Sequence, residues 1–321
     1  MNVYRYMLLT ILVIGHYYRA QAQKIDTTYI GTFKHKNVVE LYSGLYNTSF
    51  NFMDNRQKEN SYQLKANASA YMGGDINYKW LYIQYGFNIP GTELDKGVKF
   101  KYTQIRVRTG TRKIIFQPFY LSYNGLLIPE GKHEGFKAFR GIDFLNTGLD
   151  VYYYFNSRRF SYKAAYAFSE RQRRSAGSLF GGATFMWHRI KWPLPSPVLI
   201  SDPQTFDLLA SNPEWLTGIG KVGYTYSWVL NRWLIAPSVC AGAGILKETN
   251  TGNTVPRLVT ELQAGLNTGY NGNKYYVYLN GLWDNLNTRL LVKDLQRINW
   301  MVSVTAGYRF PSLKKKLLFL F

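Results

Sequence analysis

The residues with the longest chemical reach in this chain form a short basic run, Arg171, Arg173 and Arg174. A guanidinium is a permanent cation whose planar fork of donors fits a phosphate or carboxylate. Such a run therefore points to an anionic headgroup, a glycan phosphate or an anionic solute, although a solvated loop end has the same composition. Three more cations, Lys163, Lys221 and Arg309, occupy polar positions of alternating segments. Facing an aqueous path inside a low-dielectric wall, they would draw anions along it, because such a wall focuses their field. These six are the candidate contacts to an anionic headgroup or solute.

No catalytic set assembles itself from the sequence. Of the four histidines, His16 lies in an N-terminal leader, His35 just after it, His133 in EGKHEG and His188 in FMWHR. A lipid hydrolase needs a Ser and an Asn or Asp converging on a His at the lipid face, and no spacing here brings them together. No catalytic residue is assigned, and His188 reads as an interfacial residue. His133 stands beside Glu134 but lacks the second His or Cys of a metal site, so no metal and no cofactor is expected. Gly181-Gly182 and the pair Gly242, Gly244 lie inside strand-like runs, where glycine serves bending or close packing rather than a phosphate cradle.

What must position these residues is a wall of β-strands. In WMVSVTAGYRF, Trp300, Val302, Val304, Ala306, Tyr308 and Phe310 alternate with Met301, Ser303, Thr305, Gly307 and Arg309. A period of two places these sets on opposite faces of an extended strand. The apolar face has rings at both ends and aliphatic groups between, as expected of a strand crossing a bilayer. The run ending at Phe155 alternates similarly, with Asp150 on its polar face, and so does the run from Arg257 to Tyr270, with Glu261 on its polar face. Phe160, Tyr162, Ala164, Tyr166 and Phe168 extend the pattern to a run from Phe160 to Glu170, with Lys163 on its polar side.

Thirteen such runs lie between Val38 and Phe310. Asn156-Ser157, Asn231-Arg232 and Asn271-Gly272 read as tight turns; Asp54 to Ser61, Leu126 to Asp143, Lys191 to Trp215 and Asp284 to Arg297 read as long connections. Short turns at one end and long loops at the other are the pattern of an outer-membrane barrel, which requires an even number of strands. The expected fold is therefore all-β, an antiparallel transmembrane barrel of the outer-membrane type with about 12 strands, or 14. The miscounted stretch is placed between Phe160 and Trp215, where Pro193, Pro195, Pro197, Pro203 and Pro213 make the assignment hardest.

The leader agrees with that address. Arg5, the apolar run Met7 to Gly15, and Ala20-Gln21-Ala22 have the form of a secretory signal peptide with an A-x-A cleavage site. Expected divisions are a signal peptide at 1–22, an N-terminal periplasmic segment at 23–37, a barrel at 38–310 and a tail at 311–321. With 46% hydrophobic and 17% aromatic residues the chain has ample apolar material for one large β domain, and a lone Cys240 allows no intrachain disulfide. The formal charge of +20 would ordinarily raise nucleic acid as a partner, but an exported chain meets anionic lipid and lipopolysaccharide instead. Phe310 or Phe321 is a candidate assembly signal, which makes the barrel assembly machinery an expected partner; the oligomeric state is left open.

Asp26-Thr27-Thr28-Tyr29-Ile30, Tyr78-Lys79-Trp80-Leu81 and above all FNSRRFSYKAAYAFSERQRRSAGSLFGGATF, from Phe155 to Phe185, resemble the Bacteroidetes domain-of-unknown-function family 4421. The resemblance runs from about Asp26 to Phe310 and leaves out the tail with Lys314-Lys315-Lys316. It implies an exported, barrel-like protein and no assigned activity. The expected function is an outer-membrane barrel whose polar lumen passes or binds small solutes, anions among the candidates, without catalysis. The alternatives are a barrel enzyme acting on lipid or glycan, and a secreted carbohydrate-binding β-sandwich.

Overall fold

In the computed structural model, residues 25–54, 61–67, 70–97, 100–129, 136–192, 200, 203–250, 255–290 and 293–312 are described. The leader, His133 and the tail with Lys314 to Lys316 and Phe321 lie outside them. Alternation dictates long strands: β1 (Ile30–Thr32), β2 (Asn37–Asp54), β3 (Ser61–Ala66), β4 (Ala70–Tyr78), β5 (Leu81–Asn88), β6 (Lys101–Gly110), β7 (Ile114–Pro129) and β8 (Phe136–Tyr154). After helix α1 (Tyr162–Ala167) come β9 (Glu170–Gln172) and β10 (Ala176–Lys191), then helix α2 (Pro203–Ala210). The chain closes with β11 (Glu214–Leu230), β12 (Trp233–Glu248), β13 (Arg257–Asn271), β14 (Tyr275–Arg289) and β15 (Lys293–Phe310).

Every neighbouring pair in the wall is antiparallel, and β15 returns to pair with β2 from Lys293↔Asp54 to Phe310↔Asn37, so the sheet has no free edge. β3 and β4 are one stave interrupted near Asn67, since β2 pairs first with β3 and then with β4. Counted so, the described residues form a closed barrel of twelve staves. That closure excludes the two separate sheets of a β-sandwich.

The parity problem is resolved at Phe160 to Glu170, not in the Pro-rich stretch. These residues form α1 and the start of β9, and β8 pairs directly with β10. Ser161 caps the helix by accepting from the Ala164 amide at 3.1 Å, and Phe168 ends it in the left-handed region at φ 46°. Alternating rings mislead here because Tyr162 and Tyr166, four apart, also share one face of a helix. Their centroids stand 5.1 Å apart. Asn156-Ser157 is accordingly no barrel hairpin, and Lys163 lies on a helix. Two connections are also shorter than expected, because β7, β8, β14 and β15 extend further than their apolar patterns.

The outer face is apolar and the inner face mixed. Val39, Leu41 and Leu45 on β2, Leu258, Leu262 and Leu266 on β13, and Val302 and Val304 on β15 all point outward. Val304 is 52% exposed and its neighbour Thr305 only 3%. Trp300, Trp233, Trp228, Tyr275 and Phe155 lie outside near the ends of this band, where amphipathic rings favour headgroups. Farther toward the long loops the exterior turns polar, and an amide ladder runs Gln63 to Asn51 to Gln296 to Asn285 across β3, β2, β15 and β14.

Candidate functional site

The barrel interior holds a polar chamber of about 280 Å³. Its wall carries four carboxylates, Asp75, Asp150, Glu261 and Asp284, and four permanent cations or ammoniums, Arg106, Arg108, Lys221 and Arg297. Each projects inward because its strand puts alternate residues on the inner face. Lys221 on β11 lies between β10 and β12, and its ammonium pairs with Glu261 at 2.6 Å and faces Asp150 at 3.8 Å. Thr184 donates to Asp150 at 2.5 Å. Arg297 pairs with Asp284 at 2.9 Å.

Tyrosines connect the remaining charges. The Tyr82 hydroxyl donates to Asp75, while Glu40 accepts from Tyr276 at 2.5 Å and Tyr278 at 3.0 Å. Arg108 donates to Gln117 at 3.0 Å and stands 4.5 Å from the Tyr82 ring centre. Tyr276 can lie over β15 because position 307 is glycine; a Cβ there would come within 2.1 Å of the ring. Charge within the chamber is thus largely offset between neighbouring strands, as a low-dielectric interior requires. The wall does not carry the chain's positive excess.

Apolar side chains of the chain itself pack across both ends of the chamber. At the turn end, the segment between β8 and β10 folds inward, with Phe160, Tyr162, Ala165 and Phe168 packed against Ile115, Leu234, Cys240, Tyr276 and Tyr278 of the wall. Phe168 stacks on Tyr278 with centroids 4.3 Å apart, and Tyr166 shares a 2.7 Å hydrogen bond with Thr225. β1 pairs with β9 beneath this plug. Arg112 holds Glu170 at 2.6 Å, and Ser161 donates to the same carboxylate at 2.7 Å. Burial holds the Lys163 ammonium below the ordinary lysine range, against the opposing influence of Glu170. At the loop end, Leu208 and Leu209 of α2 close over Phe50, Phe52, Leu126, Phe144, Trp192 and Trp215.

The six basic candidates do not converge on one site. Lys221 lines the chamber and Lys163 belongs to the plug. Arg309 fastens that plug: its Nη1 donates to Gly272 O at 2.7 Å, and its Nη2 to Asn271 Oδ1 at 2.6 Å and to Phe168 O. Its guanidinium also lies 3.7 Å from the Phe33 ring centre and 4.2 Å from that of Tyr276. Arg171 and Arg173 are at the outer side of the plug, and Arg174 stands 5.8 Å from the Tyr29 ring centre. His188 faces inward, bonded through Nδ1 to Asn146 Oδ1 at 2.5 Å and stacked on Trp215 at 4.9 Å, away from the lipid face a hydrolase would use. Among the described residues no group of three His, Cys, Asp or Glu has the geometry to hold a metal.

Arg106, Arg108, Asp284 and Arg297 were not singled out from the sequence. The available signal was alternation, as in Arg106 and Arg108 two positions apart, but the partners that balance them come from other strands.

A family model described as domain of unknown function (DUF4421) matches residues 24–310. No curated protein matches the sequence. Solved structures that align with the chain include the outer membrane protease OmpT from Escherichia coli, at 10% identity and TM-score 0.38, covering 87% of this chain and 98% of that one. The translocator domain of autotransporter NalP from Neisseria meningitidis aligns at 11% identity and TM-score 0.38, covering 95% and 98%. The COG4313 outer membrane channel from Pseudomonas putida F1 aligns at 11% identity and TM-score 0.38, covering 87% and 97%.

Proposed function

We propose that this chain, which belongs to the domain-of-unknown-function family DUF4421, is an outer-membrane barrel that holds a small polar solute in its central chamber and passes it when an inward-folded plug withdraws. The observation that carries this reading is the charged, tyrosine-rich chamber of about 280 Å³ lying between two apolar seals inside a wall with an apolar exterior. A solid core would be expected to fill that space with aliphatic side chains, since buried charges contribute little net stability even when paired. Retaining eight ionic groups there is better explained by a solute with both donors and acceptors. Because their signs offset, the chamber suits a dipolar or zwitterionic solute better than a simple anion.

The outer-membrane placement is supported by the closed ladder, the apolar belt and the aromatic residues at its ends, together with the secretory grammar of the leader. In that setting lipid and lipopolysaccharide surround the barrel, and the barrel assembly machinery inserts it. The inward position of His188 weighs against the lipid-hydrolase alternative, which needs its histidine at the lipid face. Planar-bilayer recording tests the reading. Wild-type protein should conduct little, and replacing residues 157–174 by a short turn should give stable channels. An assembled deletion variant, verified by heat-dependent gel mobility, that conducts no better than wild type would overturn it.

A further inference from the structure

At the turn end of the barrel, on the outer side of the plug, lies a second cavity of about 640 Å³. It is built where the β1–β9 ribbon meets the β13–β14 turn and the end of β15, and its lining includes Lys34, His35, Arg171, Arg173, Lys274 and Arg309. Among the described residues no carboxylate lines it. Nearby acids are engaged elsewhere: Glu170 by Arg112 and Ser161, Asp26 by Thr28 and Arg159, and Glu40 by Tyr276 and Tyr278. Hydrogen bonds from Thr28, with Arg159 at 3.7 Å, hold the Asp26 carboxyl below its usual range, so it stays charged on its own partners.

Five permanent or near-permanent cations around one concavity repel one another unless an anion joins them. Arg173 is held for such a role, with Nη1 donating to Thr27 O at 3.0 Å and its guanidinium lying against Gly31. The Nε of half-buried Arg171 is enclosed and has no hydrogen-bond partner, an orphaned donor in a lining residue. The cleft also reaches the aromatic end of the lipid-facing band. Tyr308 lines it and packs on Tyr275 at 5.3 Å, with the Lys274 ammonium 5.5 Å and 5.8 Å from the two ring centres.

We propose that this cleft is a binding site for a phosphate group, with Arg171 and Arg173 as its principal donors and Lys34 and Lys274 as flanking charges. Its place at the aromatic belt favours the phosphodiester of an anionic phospholipid in the adjoining leaflet over a free phosphate-bearing solute. Arg309 supplies charge from behind, its Nη donors being committed to the plug. The site lies outside the chamber and does not depend on whether the chamber conducts.

The test uses the full chain purified in a zwitterionic detergent. Retained phosphatidylglycerol is counted by native mass spectrometry, with phosphatidylcholine of the same acyl chains as control and inorganic phosphate as competitor. Wild type should retain phosphatidylglycerol selectively, and Arg171→Gln/Arg173→Gln should weaken retention by about tenfold or more, since a charge-assisted pair of donors is lost. Retention that millimolar inorganic phosphate leaves intact identifies the lipid headgroup as the source. Displacement by phosphate, or phosphate binding without lipid that is lost in the same variant, identifies a soluble phosphate. Should the Arg pair fail to assemble, Lys34→Gln/Lys274→Gln, both on exposed side chains, is read instead, with a smaller loss expected. Equal retention by wild type and assembled variant, or no preference for phosphatidylglycerol or phosphate, overturns the proposal.

Discussion

Arg309 gives the sharpest test of the plug. Replacing it with Met keeps the aliphatic volume but removes the donors that join wall to plug. On the plug side, the Phe168 carbonyl is left without this donor and the Phe33 ring loses its cation; on the wall side, Gly272 O and Asn271 Oδ1 are orphaned as well. An orphaned buried acceptor costs about 1–3 kcal/mol, and a desolvated cation over a ring contributes about 1–2 kcal/mol. Relief from desolvating the guanidinium offsets the wall-side losses, so the plug-side contacts set the scale at about 3 kcal/mol. That corresponds to roughly a 100-fold rise in the open population.

The barrel ladder should survive, because β15 remains paired with β14 and β2 through its backbone. Cys240, the chain's one cysteine, provides the readout: it is buried on the chamber wall in the same cluster as Phe160, Ala165 and Phe168. A small charged methanethiosulfonate reagent should label Arg309→Met roughly 100-fold faster than wild type. Arg309→Lys should fall between them, since an ammonium keeps the charge but lacks the fork that reaches three acceptors. Labelling of assembled Arg309→Met at the wild-type rate would refute the reasoning.

Removing the chamber cation by Lys221→Met leaves Asp150 and Glu261 facing each other unneutralised and should lower unfolding stability by about 3–5 kcal/mol, whereas Lys221→Met/Glu261→Met should recover much of the loss; equal urea midpoints for the two would contradict the pairing. Ser161→Ala removes both the cap of helix α1 and the hydrogen bond to Glu170 and should cost about 2–4 kcal/mol, seen as faster Cys240 labelling without altered barrel assembly. Val304→Arg should oppose membrane assembly by about 2–4 kcal/mol near the midplane. Thr305→Arg should also be poorly accepted, because its nearly buried side chain borders a small chamber of about 280 Å³ rather than open water, while Thr305→Ser should assemble like wild type. A membrane-insertion assay that accepts Val304→Arg as readily as Thr305→Ser would remove the facing assignment.

Alternation along each strand was enough to tell inside from outside: Val302 and Val304 against Thr305, Leu262 against Glu261, and Val151 against Asp150. It sufficed because the pleat sets side-chain direction residue by residue, without reference to any other strand. The even count near twelve followed from the short and long turns. Phe160 to Phe168 shows where local pattern fails, since its rings satisfy both a two-residue and a four-residue period. Capping by Ser161, the Arg112 and Ser161 contacts to Glu170 and the Arg309 contact to Phe168 favour the helix, and two of these four, those of Arg112 and Arg309, join residues 58 and 141 positions apart. The same holds for the sites. Sequence alone marked Lys221 and Arg309 as inward cations, but only closure of β15 onto β2 and the infolding of the β8–β10 segment made one a neutralised chamber wall and the other a clasp. Charge balance and burial depend on which strands become neighbours, a property of the closed sheet that no single strand's pattern contains.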